Sequence, residues 1–204
     1  YYIAMVYAQL VTHLSYRRYK VVGKENIPSK GSYIIAPNHA NALMDAMNVL
    51  VMNWDTKVFV ARADIFKNPK IASVLHFLRM TPIARERDGM DAVKKNEEIM
   101  DARVDVLKDG IPFVIMPEGR HQAKHTLLPL KKGIFRIAGQ ACDTVDNPVY
   151  ILPVGLEYSN FFRFGHDVLI NIGKPLDVRE YLKESAGEDG IPVVPRAINR
   201  MKSD

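Results

Sequence analysis

A chain of 204 residues that is 48% hydrophobic and 25% charged holds enough material for one domain with a sizeable core and too little for two generous ones. Its 12 glycines and 12 prolines show no low-complexity bias, no repeat recurs at a fixed period, and the single cysteine, Cys142, excludes an internal disulfide, which fits a reducing compartment. The 28 Lys and Arg against 23 Asp and Glu, +5 in all, suit anionic partners, yet they lack the dense basic face with interleaved aromatics that nucleic-acid binding requires.

No acidic residue occurs between Tyr1 and Lys24. The apolar, Tyr-bearing stretch YYIAMVYAQLVTHL is followed by Arg17, Arg18, Lys20 and Lys24. Residues 1–18 are therefore expected to form a membrane-associating helix with a basic collar for anionic headgroups, a buried N-terminal core helix being the alternative. Fourteen residues fall short of the roughly 20 that span a bilayer about 30 Å thick. The chain opens with Tyr rather than Met, which leaves a longer upstream anchor open, and it shows no secretory cleavage pattern.

Beyond this helix, β-rich runs alternate with helical patterns. The runs lie at 19–23, 32–36, 57–61, 81–84, 112–116, 149–154 and 168–172, and several are continuously apolar, as strands covered on both faces are. Helical spacing of Leu43, Met47, Leu50 and Val51 predicts a helix from Asn41, a plausible N-cap, to Asn53. Asp88–Asp109 reads as the clearest helix, with Met90, Val93, Met100, Val104 and Leu107 as its stripe and Gly110 as its stop. Shorter helices are predicted at 69–79, 131–141 and 177–184. The expected fold is α/β: a single domain over 19–184, with a mixed, mostly parallel sheet flanked by helices. Residues 185–204, with two Pro and two Gly, read as a loosely packed tail or a truncated continuation.

In IIAPNHANALMDAM a strand ends at Ala36, and His39 and Asp45 follow six residues apart. On one regular helix that spacing is about 600° of rotation and about 9 Å of rise, so the two side chains would diverge. They meet only if His39 lies in the loop before the helix, where Pro37 and Asn41 put it. A carboxylate on one ring nitrogen would then fix the tautomer and leave the other as a general base. The alternative is a structural His beside a surface Asp.

A second constellation, PEGRHQAKHTLLPLKKG, follows the buried run PFVIM, at the strand end where open α/β sheets bind ligands. Glu118 and Arg120 flank Gly119, which would let the backbone approach a ligand, and Lys131 and Lys132 precede Gly133 at a helix start. Arg85, after the run TPIA, is a further candidate, since Arg suits bidentate phosphate binding. His121 and His125 stand four apart, a zinc spacing, but no Glu lies between them and the segment reads as loop. No phosphate-binding P-loop occurs, which removes the kinase reading.

In this order, these segments resemble the glycerolipid acyltransferase family, best known from the 1-acylglycerol-3-phosphate acyltransferases. Asn38-His39 through Asp45 matches the first block, the region ending in Arg85 the second, Pro117-Glu118-Gly119-Arg120 with Lys131-Lys132-Gly133 the third, and Ile151-Leu152-Pro153-Val154 the fourth. The resemblance covers about residues 20 to 175. Three departures stand out: the five residues from Ala40 to Met44 are one more than the family's first block holds, Arg120 follows Gly119 without the usual intervening Thr, and Arg79 stands near the place of the second block's leading Gly. They bear on the acceptor more than on the chemistry.

The resemblance implies acyl transfer from acyl-CoA or acyl carrier protein to a hydroxyl of a lysophospholipid, with 1-acylglycerol 3-phosphate, giving phosphatidate, as the leading acceptor. Glycerol 3-phosphate, another lyso-lipid, or a catalytically inactive lipid-phosphate-binding module are the alternatives. His39 would be the base and Asp45 its orienting partner; Arg85 and Arg120 would hold the acceptor phosphate. Glu118 would position glycerol hydroxyls or the arginines, and Lys131 and Lys132 would serve either substrate's phosphate. The resemblance implies no metal, no cofactor beyond the thioester co-substrate, membrane lipids as partners, no nucleic acid, and a place on the cytoplasmic face of a membrane, peripheral or N-terminally anchored.

Overall fold

All the apolar runs enter one sheet. A computed structural model describes residues 1–83, 105–185 and 193–203. Its strands are β1 (Tyr16–Val22), β2 (Ser32–Pro37), β3 (Val58–Arg62), β4 (Met80–Ile83), β5 (Phe113–Val114), β6 (Val149–Tyr158), β7 (His166–Ile172) and β8 (Leu176–Asp177). They form an eight-stranded sheet in the order β1-β7-β6-β2-β5-β3-β4, with β8 pairing β6. The ladders β6·β7 and β6·β8 are antiparallel and the other five are parallel, so the expected mixed, mostly parallel sheet is present.

The helices are α1 (Tyr2–Ser15), α2 (Ala42–Val51), α3 (Pro69–Phe77), α4 (Gly133–Thr144), α5 (Val178–Glu184) and α6 (Val193–Ser203). Residues 105–108 are helical as well; the rest of the helix expected over 88–109 lies outside the described residues. Side chains of β2 alternate between two cores, which is why its sequence is apolar without interruption. Ile34 packs with Ile137 and Ala138 of α4 and with Ala197 and Ile198 of α6. Tyr33 and Ile35 face the other way, toward Val49 and Met52 at the end of α2. Across one interface, Arg179 of α5 donates from its guanidinium to the carbonyls of Cys142 and Val145, closing the C-terminal end of α4. Burial pushes the Cys142 thiol up to about 11.

Both ends of the chain differ from expectation. The first helix stops at Ser15, and Arg17, Arg18 and Lys20 lie on β1 instead of forming a collar on the helix. They alternate with Tyr16 and Tyr19 on an edge strand, where exposed positive charge discourages further strand pairing. Helix α1 has two faces: Met5, Ala8 and Thr12, at helical spacing, are buried, whereas Tyr2, Ile3, Val6, Tyr7, Leu10 and Leu14 are exposed. One side of the helix is thus part of the core, and the other presents apolar side chains at the surface. Among the described residues no helix is long and apolar enough to cross a membrane. The C-terminal segment, expected to be a loosely packed tail or a truncated continuation, carries α6, whose Ala197, Ile198 and Met201 are buried in the core. Pro195 falls in its first turn, where a missing N–H leaves no helical bond unmade.

Candidate active site

Neighbouring parallel strands β2 and β5 end at the same edge of the sheet, which brings the segments after them together. His39 lies in the loop after β2, as its place between Pro37 and the helix requires. Its Nδ1 is 2.8 Å from Asp45 Oδ2. Asp45 is fully buried in the first turn of α2, whereas the His39 side chain keeps 18% of its surface exposed. The same Asp45 oxygen accepts the backbone N–H of Asn41 at 2.7 Å. Asn41 therefore occupies the N-cap position, but it is Asp45 that reaches back to it, and the Asn41 side chain caps nothing. In this turn Ala42 takes a positive φ of 43°.

The other Asp45 oxygen accepts the Tyr158 hydroxyl at 2.5 Å, from the end of β6. Asn48, one turn on from Asp45 and also fully buried, donates from its amide to the oxygens of Tyr158 and Tyr16, at 3.0 and 2.9 Å. Burial, reinforced by the Asp45 charge, pushes the Tyr158 phenol far up, and burial raises Tyr16 too. Both stay neutral, so Tyr158 remains a donor. With the Asp45 carboxylate on Nδ1, that nitrogen carries the proton and Nε2 is the proton acceptor.

The loop is held from both sides. The Asn38 side chain bonds the backbone of Leu156 twice, Nδ2 donating to O at 3.1 Å and Oδ1 accepting N–H at 2.6 Å, which extends β6 pairing beyond the end of β2. Glu118 after β5 is buried, and its Oε1 accepts the His39 backbone N–H at 3.0 Å. One of its oxygens thereby ties the second constellation to the first. The Gln122 N–H donates to the His39 carbonyl at 3.1 Å, and the His121 ring stands edge-on to His39 with centroids 5.5 Å apart.

Gly119 turns the chain with a φ of 67°, and a Cβ there would meet Lys131 Cγ at 3.5 Å, ordinary contact. Its glycine is required by the backbone turn. The Lys131 N–H donates to the Pro117 carbonyl at 2.7 Å, so Glu118, Gly119, Arg120 and Lys131 share one turn beside His39. Arg120, Lys131 and Lys132 are exposed. Arg85 lies outside the described residues; β4, which precedes it, ends at the same edge of the parallel set. His125 stacks near Phe161 at 4.8 Å, and among the described residues no group of three His, Cys, Asp or Glu side chains could hold a metal ion. A cavity of about 710 Å³ opens beside Asn38 and Pro117 and runs between the 124–130 loop, β6 and the end of α6, with Leu130, Ile134, Phe135 and Phe161 in its walls.

The family model described as Acyltransferase matches residues 18–157, well over half of the chain. The chain belongs to the acyltransferase family. Its similarity to the 1-acyl-sn-glycerol-3-phosphate acyltransferase of Bacillus subtilis is 28% identity over 120 residues, covering 58% of this chain and 55% of that one. The chloroplastic 1-acyl-sn-glycerol-3-phosphate acyltransferase BAT2 of Brassica napus is 26% identical over 182 residues, covering 86% of this chain and 49% of the relative. The chain thus spans about half the length of the curated relatives it matches. Among solved structures, the 1-acyl-sn-glycerophosphate (LPA) acyltransferase PlsC of Thermotoga maritima shares the fold, with a TM-score of 0.63 and 22% identity over 98% of this chain and 77% of that one.

In this member of the acyltransferase family, sequence reasoning missed Tyr158, Asn48 and Tyr16. Tyr158 stands one residue past the matched span. Two signals point to these residues. The alternation of β6 continues through Leu156 to Tyr158, and Asp45, Asn48 and Val49 share one buried helical face on which two polar groups demand partners.

Proposed function

We propose that this chain transfers a fatty acyl group from a thioester, acyl-CoA or acyl carrier protein, to a hydroxyl of a lysophospholipid, with 1-acylglycerol 3-phosphate as the leading acceptor. The observation that carries the reading is the His39–Asp45 pair, its carboxylate buried and its imidazole partly exposed, at the edge where β2 and β5 end. His39 Nε2 takes the proton of the acceptor hydroxyl as its oxygen attacks the thioester carbonyl carbon. The C–S bond breaks, and the imidazolium returns the proton to the departing thiolate. Asp45 holds the imidazole and stabilises its charged form. The nucleophile is the substrate's own hydroxyl, so no Ser or Cys of the chain is acylated.

Arg120 and Lys131, exposed on the turn beside Glu118, bind phosphate in this reading, with Arg85, which follows the run TPIA in the sequence, as a further candidate. The apolar cavity beside Asn38 receives the acyl chain. The relatives named as 1-acyl-sn-glycerol-3-phosphate acyltransferases support the acceptor class. The outward face of α1 meets a membrane surface, where such an acceptor resides.

The test is a mass-spectrometric acyl-transfer assay with 1-acylglycerol 3-phosphate and acyl-CoA or acyl carrier protein. Purified chain is expected to form the diacyl product. His39→Ala should lower turnover by about 10² to 10⁴, and Asp45→Asn in the same direction, with unchanged circular dichroism. Near wild-type turnover of folded His39→Ala would overturn the mechanism.

A further inference from the structure

Between β6 and β7 the chain reads Ser-Asn-Phe-Phe-Arg-Phe-Gly, residues 159–165. Phe161 turns inward against Tyr158 and His125, with ring centroids 5.8 and 4.8 Å away. Phe162 and Phe164 turn outward and are 87% and 81% exposed. Single exposed apolar residues are ordinary, but two phenylalanines flanking an arginine on one tip form a patch. The tip is also well fixed. Asn160 Oδ1 accepts the N–H groups of Phe162 and Arg163 at 2.8 and 2.9 Å, and Gly165, with a φ of 70°, donates its N–H to the Ser15 carbonyl at 2.9 Å.

That last bond decides where the tip belongs. It fastens the tip to the C-terminal end of α1, next to Leu14, itself 64% exposed and the last residue of the outward apolar face. Leu14 and Phe164 each directly precede one of the two residues that this bond joins. The two surfaces carry charge of one sign: neither residues 1–24 nor residues 159–165 contain an acid, while Arg163, Arg17, Arg18 and Lys20 are exposed. Asp167, just beyond, is neutralised by the bidentate Arg17 guanidinium at 2.8 and 2.9 Å, which holds its carboxyl below the usual carboxylate range. The inner side of the same loop connects to the site, since Tyr158 bonds Asp45 and Phe161 lines the cavity.

We propose that the Phe162-Arg163-Phe164 tip inserts into the headgroup region of an anionic bilayer beside α1, seating the mouth of the cavity on the membrane. The inference rests on the acyltransferase reading for its purpose, the capture of an acceptor that lives in a bilayer. Aromatic rings with cations and no acids match the anionic interface, where rings settle at headgroup depth and Arg meets phosphate.

The experiment uses the full chain and vesicles of phosphatidylcholine with phosphatidylglycerol. Phe162→Ser with Phe164→Ser should weaken cosedimentation by roughly tenfold per ring. Phe162→Trp in a Trp54→Phe background should blue-shift its emission on vesicle addition and be quenched by lipids brominated near the headgroup. With a monodisperse short-chain acceptor the double serine variant should keep wild-type turnover. Unchanged partition of that variant, or a tryptophan that stays water-exposed on vesicles, overturns the proposal. A variant that binds vesicles normally but changes its elution on gel filtration also overturns it, because the tip would then join two copies of the chain. Absence of acyl transfer by the wild type would refute the enzymatic reading instead, and the partition and fluorescence measurements would still decide the tip.

Discussion

Asp45 accepts three hydrogen bonds, from His39, Asn41 and Tyr158, and the one from Tyr158 is open to a clean test. Removing it leaves one oxygen of a buried carboxylate without its donor and loosens the hold of Asp45 on the His39 ring. Glu118 and the His121 ring also face His39, and neither changes in this variant. Tyr158→Phe should therefore lower kcat/KM on the order of tenfold in protein that stays folded by circular dichroism. Wild-type turnover in the folded variant would assign Tyr158 to packing alone. Arg120 is tested by a different split. If it clamps the acceptor phosphate equally in ground and transition states, Arg120→Ala should raise the acceptor KM more than it lowers kcat, by roughly 10- to 150-fold in kcat/KM. Lys should rescue only part, because a point charge cannot reproduce the guanidinium fork. A rise in the donor KM alone would move Arg120 to the thioester carrier. The His–Asp pair was legible because a loop followed by a helix is the one local geometry that joins those residues. Tyr158 was not, because it arrives from a strand more than a hundred residues later in the chain.

At the scale of one element, α2 ends on a buried cation. Lys57 is fully buried and donates from Nζ to the carbonyls of Leu50, Asn53 and Asp55, at 3.3, 3.2 and 2.9 Å, where the helix has carbonyls left over. Burial nevertheless pushes Lys57 from 10.5 down to about 8. The folded chain then gives up this proton before the unfolded one does. Between about pH 8 and pH 10 the unfolded state binds more protons, and this group makes stability rise with pH, by at most ~3 kcal/mol. Below pH 8 its contribution is constant. Thermal melts from pH 7 to 10 should show a rising midpoint from this group, and Lys57→Met should flatten the slope. An equal slope in the variant would place the titration elsewhere. The helix itself was predicted from its apolar spacing, whereas nothing local announces that a lysine after it is inside.

At the scale of the whole molecule, the membrane contact proposed for α1 is open to test. Its inner face of Met5, Ala8 and Thr12 belongs to the fold, so deleting the helix would confuse docking with unfolding. Ile3→Gln, Val6→Gln and Leu10→Gln together touch only the outer face and should weaken cosedimentation with anionic vesicles at unchanged melting temperature. Added salt should weaken wild-type binding too, since Arg18 and Lys20 act through screened charge. Binding indifferent to both would refute the anchor. The α/β class, the parallel majority of the sheet and the positions of the two site loops were fixed by sequence, because continuous apolar runs and turn residues are local facts with few global solutions. Only the tertiary structure decided that the basic residues after α1 belong to an edge strand, that Pro195 falls in the first turn of a core helix, and that Glu118 spends an oxygen on the His39 backbone. It also supplied the Tyr158 and Asn48 support behind Asp45. The physical reason is the same in each case: a buried polar group takes its partner from whichever element packing brings within hydrogen-bond reach, and that distance is not written along the chain.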